Sequence, residues 1–151
     1  MKRIYLDTCV WCRPFDEPSR RVTEEAEAFF KILQGVDEKR YMIIGSIILD
    51  DEIHEIRDEM TRAAVTELMT RAISDQIDLI SESKQKEIKM ETGVKDEDAF
   101  HLAAAIEGKT EYFITVDDNI LAKADKIEGC GIKVRNPVDL NLEEARNGYG
   151  S

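Results

Sequence analysis

Little in this sequence could staple, anchor or broadly charge-pair it. Its three cysteines are an odd number and cannot form a disulfide framework. No apolar run approaches the roughly 20 residues that span a bilayer. The apolar stretch behind Lys2 and Arg3 is too short for a signal-peptide core, and Asp7 interrupts it. A cytoplasmic protein with no membrane segment is expected. Positive charge is scarce as well: 21 Lys and Arg face 32 Asp and Glu, for a net charge of −11. That balance argues against broad, non-specific nucleic-acid binding, which needs a basic face. It does not exclude a nuclease, because a carboxylate site for metal adds negative charge by design.

What is present suits one globular domain. The chain has 151 residues, 42% hydrophobic and 35% charged, enough to bury a core. Short apolar runs alternate with longer amphipathic ones. Strands are predicted at 2–6, 41–45, 76–80, 111–115 and 131–134. Helices are predicted at 22–34, with Gly35 as a stop, at 83–91, at 96–107 and at 118–126. Residues 49–73 read as one long helix or two consecutive ones. Strands alternating with helices imply an α/β, three-layer architecture: a mostly parallel five-stranded sheet flanked by helices. One domain is expected over 1–140, followed by a polar tail at 141–151.

The stretch "IYLDTCVWC" sets two chemistries against each other. A redox Cys-x-x-Cys needs a helix N-terminus behind it, to lower the thiol pKa. After Cys12 the chain reads "RPFDEPSRR", and the periodic helix begins only near Val22, so Cys12 lacks that helix end. Zinc needs about four ligands. Only Cys130, His54 and His101 remain, without a second pair at metal spacing. Cys9 then packs as a small hydrophobe.

The carboxylates make a stronger case. In open α/β sheets, ligands bind beyond the carboxyl ends of parallel strands. The first strand ends in Asp7-Thr8, the second in Gly45-Ser46 and the fourth in Thr115-Val116-Asp117-Asp118. Asp118 reads equally well as the N-cap of the next helix. Leu49, Ile53, Ile56 and Met60 share one helix face, and Glu52 lies about 60° from its centre, at the edge of the buried stripe. A salt-bridged flank residue is the other reading of Glu52. "HEIRD" lacks the second His of a zinc-protease helix. "VKDEDAFHLAAAI" opens a helix with three acids, of which Asp96 is the simplest cap. Periodicity does not choose among Asp96, Glu97 and Asp98. His101 reads as a partly exposed polar residue rather than a ligand, since hard-metal sites prefer oxygen.

Together these blocks resemble the PIN-domain family and are similar to the VapC-type toxin ribonucleases of toxin–antitoxin pairs. "YLDT" resembles the family's first strand with its acid, Asp7, and "SIILDDEI" its Ser followed by Glu, here Ser46 and Glu52. "DAFHLAAA" resembles its Asp-led helix start, Asp98, and "FITVDD" its strand end with Thr115 and Asp117. The likeness runs over about residues 3–134. Many members carry Asn or Ser where this chain has Cys9. The resemblance implies a Mg²⁺- or Mn²⁺-dependent endoribonuclease (a hydrolase) acting on single-stranded RNA. Asp7, Glu52, Asp98 and Asp117 would be its catalytic and metal residues, with Thr8, Ser46, Thr115 and Asp118 in support. It also implies a homodimer and a cognate antitoxin. Two other readings stay open: a non-catalytic PIN-fold regulatory domain that binds a partner protein, and a Mg²⁺-dependent phosphotransfer domain with Asp7 as phosphoacceptor.

Overall fold

Apolar strands that must bury both faces need helices on either side, and the chain supplies them between successive strands. The computed structural model describes residues 1–148. Its strands are β1 (Lys2–Leu6), β2 (Tyr41–Ser46), β3 (Ile73–Ile77), β4 (Tyr112–Ile114) and β5 (Lys133–Arg135). They form one all-parallel sheet in the order β3-β2-β1-β4-β5. The helices are α1 (Thr8–Cys12), α2 (Arg20–Asp37), α3 (Ile47–His54), α4 (Glu59–Ala72), α5 (Glu82–Thr92), α6 (Asp96–Glu107), α7 (Asp118–Leu121), α8 (Ala124–Glu128) and α9 (Pro137–Arg146). The expected α/β, three-layer architecture is therefore found.

β1 is the central strand, and its Ile4, Tyr5 and Leu6 are wholly buried. β2 and β3 extend the sheet on one side of it, β4 and β5 on the other. This reversal opens a crevice beyond the carboxyl ends of β1 and β4, where α/β sheets place their ligands.

Several elements depart from the sequence reading. β3 lies at 73–77 rather than 76–80, because Ile73 pairs with Ile43 and Ile77 with Ser46. Leu79, counted into the expected strand, is 88% exposed in the following loop. Gly35 does not stop a helix but sits inside α2, where a Cβ would come within 2.6 Å of the Tyr41 ring. Residues 49–73 hold two helix segments, with Asp58 capping α4 through Thr61 N at 2.8 Å. The helix expected at 118–126 is split into α7 and α8. Neither α1 nor α9 was anticipated. Asn136 caps α9, Pro137 occupies its first turn, and Leu140 and Glu144 are buried. The expected boundary after residue 140 thus falls within α9, and residues 149–151 of the expected tail lie outside the described residues.

Candidate active site

Asp7 continues β1 by one more ladder bond, its N–H donating to Ile114 O at 2.9 Å. Its side chain then turns into a capping role. Oδ1 accepts from Thr8 N at 2.8 Å, which starts α1 directly after the strand. Val10 and Trp11 of this helix are buried, and Trp11 Nε1 donates back to Leu6 O at 3.1 Å. Cys9 and Cys12 therefore lie on a short helix that the sequence reading did not place there, held by a core tryptophan and an aspartate cap.

Asp7 Oδ2 accepts from Thr115 Oγ1 at 2.8 Å, and the same hydroxyl oxygen accepts from Asp117 N at 3.0 Å. One threonine therefore ties together the acids that end β1 and β4. Asp7 is 6% exposed. Burial pushes its pKa above the ordinary carboxylate value, against the opposing pull of His101 and Thr115.

Glu52 reaches the same place from α3. Its Oε1 accepts from Thr8 Oγ1 at 2.5 Å and from His101 Nε2. Burial pushes Glu52 up, but the hydrogen bond and charge of His101 more than offset it, so the pKa is lowered. Glu97, exposed at the rim, is raised by the nearby Glu52 carboxylate. Ser46 caps α3 at Leu49 N and hydrogen-bonds the Tyr5 hydroxyl at 2.6 Å.

His101 corrects the sequence reading. It is 1% exposed, not partly exposed, because α6 is buried along most of its length by Ala99, Leu102 and Ala103–Ala105. Its Nδ1 meets the Tyr5 hydroxyl at 2.6 Å, and its Nε2 lies 3.9 Å from Asp7 Oδ1. Burial disfavours charge on the ring, yet Glu52 and Asp7 outweigh it and raise the pKa. Asp7, Glu52 and His101 each offer a ligand atom, all within 4.8 Å of one another.

Asp98 stands one turn before His101 on α6. Its pKa is raised to about 6, first by burial and then by the charges of Asp7 and Asp117. Of the three acids that open α6, Asp98 is the one whose pKa the strand-end carboxylates raise. Asp96 is not the cap: Lys95 holds that position without a side-chain bond, and Asp96 pairs with Lys89 at 2.6 Å. Asp117, not Asp118, caps α7, its Oδ1 accepting from Asn119 N at 2.8 Å. Asp118 faces Arg21 in a two-point pair at 2.8 and 2.9 Å. Asp98 and Asp117 line a cleft of about 220 Å³ with Lys95 and Lys123. They adjoin the Asp7–Glu52–His101 group without belonging to it. A cleft of about 620 Å³ between α3 and α4 contains none of the four acids.

The thiols have no activating surroundings. Cys9 is raised by burial and by Asp7, and Cys12 to about 11 by burial and Asp16. All three cysteines are free.

No family model and no curated protein matches the sequence. The structure is similar to a chain of VapBC2 from Rickettsia felis, solved bound to a DNA fragment from their promoter. The two are 12% identical, with 89% of this chain and 98% of that chain covered and a TM-score of 0.58. The fold is PIN-like. At that identity the likeness speaks for the fold alone. No helix among the described residues is long and apolar enough to cross a membrane.

Proposed function

We propose that this protein is a metal-dependent endoribonuclease that cleaves single-stranded RNA, as the toxin of a toxin–antitoxin pair. The observation that carries this reading is the meeting of Asp7 and Glu52 at the sheet's switch point, with ligand atoms within 4.8 Å. The structural neighbour is itself part of a VapBC2 assembly, which supports a cognate antitoxin as partner. A homodimer belongs to the same reading.

The donor set suits a hard ion. Mg²⁺ and Mn²⁺ favour carboxylate oxygen and keep several water positions. Asp7 and Glu52 would hold the ion, with Asp98 and Asp117 in the adjoining cleft. When bound, it supplies an activated water and positive charge against the phosphate. The chain's own residues set the geometry. Thr115 fixes one oxygen of Asp7 and the backbone of Asp117, and Thr8 fixes one oxygen of Glu52. The phosphotransfer reading lacks the second Asp expected two residues after the first: this chain has Cys9 there.

Hydrolysis of a short single-stranded RNA should require Mn²⁺ or Mg²⁺ and stop in chelator. It should fall at least 100-fold in Asp7→Asn and in Asp98→Asn, on the order of what loss of an electrostatic group in an active site costs. Equal cleavage in chelator, or full activity in Asp7→Asn, would overturn the mechanism. A folded protein that binds a partner but leaves RNA intact would favour the regulatory-domain reading.

A further inference from the structure

Glu52 differs from the other acids of the site in how it is held. Asp7 and Asp117 are fixed by the backbone at strand ends, whereas Glu52 projects from an eight-residue helix on a flexible stem, with its side chain 25% exposed. Left alone, such a side chain would sample solvent-facing rotamers, and an ion would have to gather it in at an entropic cost. Instead, two donors converge on the same oxygen, Oε1: Thr8 Oγ1 from α1 and His101 Nε2 from α6.

The imidazole is in turn held from behind. Its Nδ1 meets the Tyr5 hydroxyl at 2.6 Å, and that hydroxyl meets Ser46 Oγ at 2.6 Å. Tyr5, Ser46 and His101 are at most 1% exposed. The Tyr5 ring stacks on Phe113 at 5.5 Å and meets His101 edge-on at 5.7 Å. The result is a buried hydrogen-bonded rod from the central strand to one oxygen of Glu52.

The donor arithmetic then assigns the ring. A carboxylate only accepts, so Nε2 carries the hydrogen that it gives to Glu52. A nitrogen bearing a hydrogen has no lone pair for an ion. Nδ1 is turned away, toward Tyr5.

We propose that His101, braced by Tyr5 and Ser46, is a positioning residue: it presets Glu52 for the divalent ion and is not itself a ligand. The inference rests on the metal-dependent reading above. Outer groups of this kind typically contribute about 10–100-fold to metal affinity.

The test is Mn²⁺ binding, measured by calorimetry and by pulsed electron paramagnetic resonance, which detects nitrogen bound to manganese. The proteins are the parent, Tyr5→Phe, His101→Leu and His101→Gln, each checked for folding in chelator. Tyr5→Phe keeps the ring and its stacking but removes the brace. It should weaken Mn²⁺ binding by about 10-fold. His101→Leu should weaken it further, and His101→Gln, which retains an N–H donor near the Nε2 position, should recover most of the loss. The parent spectrum should show no directly bound nitrogen.

If Tyr5→Phe binds Mn²⁺ as the parent does, or if the parent shows bound nitrogen, the positioning role is wrong while the nuclease reading stands. A parent that binds no Mn²⁺ overturns both. Should His101→Leu fail to fold, Tyr5→Phe and His101→Gln decide the matter between them.

Discussion

Asp98→Asn should stabilise the metal-free protein at neutral pH, although it removes a residue proposed for catalysis. The cause is repulsion among half-buried carboxylates in the absence of an ion. Asp98 titrates at about 6 in the fold against an ordinary 3.8, through burial and the charges of Asp7 and Asp117. At roughly 1.36 kcal/mol per pH unit, that gap is worth about 3 kcal/mol. The side chain is only half-buried, so solvent screening cuts the figure to about 1.5 kcal/mol. The folded pKa is raised, so the charged carboxylate costs the fold nothing below the unfolded value. The cost grows as pH rises from about 4 to about 6 and is complete above that. In chelator at pH 7.5, Asp98→Asn should therefore melt roughly 3–6 °C above the parent. At pH 4 the two should melt together. Added Mn²⁺ should raise the melting point of the parent more than that of the variant, because binding to the folded state alone stabilises it by mass action. A variant less stable than the parent at pH 7.5, or equally stabilised at pH 4, would refute the reasoning.

Three further outcomes follow from other parts of the molecule. Replacing Cys9 and Cys12 by Ser together should keep metal-dependent cleavage within a few-fold, and in the parent Cys12, with its pKa near 11, should react slowly with iodoacetamide at pH 7; a folded but inactive double variant would restore a role for the thiols. Gly35→Ala adds helix propensity but drives a Cβ to 2.6 Å from the buried Tyr41 ring, so denaturant melts should show a net loss of about 1–2 kcal/mol, and a gain would mean the ring moves freely. RNA binding by Asp98→Asn at fixed Mn²⁺ should have a shallow log–log salt slope of about −1.5 to −3, whereas a slope steeper than about −5 would reveal an extended basic track.

The shallow slope has a structural reason that the sequence could not show. Arg13, Arg20 and Arg21 follow the first strand in chain order and read as candidates for phosphate. Arg13 is instead held by the buried Glu25 at 2.6 Å and by Asp16 at 3.1 Å. Arg21 is divided between Glu25 and Asp118, and Arg20 pairs with Glu24. Glu25 also accepts from Asn136, so this network fastens α2 to the loop before α9. Lys95 lines the cleft beside Asp98 and Asp117.

Legibility tracked how strongly one force dominated each segment. β1, β2 and β4 are buried on both faces, so their apolar runs placed them well. β3 is an edge strand with exposed positions, and its register with β2 shifts between Ile43 and Ile44, so no alternation marked its limits. α1 spans five residues, too short for a helical period to be visible. The acids of the site divide in the same way. Asp7 and Asp117 stood out because an apolar run ends at each, and Glu52 because it flanks an apolar stripe. Periodicity did not separate Asp98 from Asp96, since all three acids at that helix start satisfy the same dipole; the resemblance alone singled out Asp98. His101 was misread because it was judged by its own polarity rather than by its neighbours, and Tyr5 was counted only as a strand residue. Ala99–Ile106 is otherwise apolar, and a histidine set in such a stretch must be buried and must find partners inside the protein. Its position three residues after Asp98 puts both on one helix face, and the strand tyrosine two residues before Asp7 was the available hydroxyl. A polar residue within a wholly apolar run is thus a pointer to a buried network, and here that network ends on Glu52.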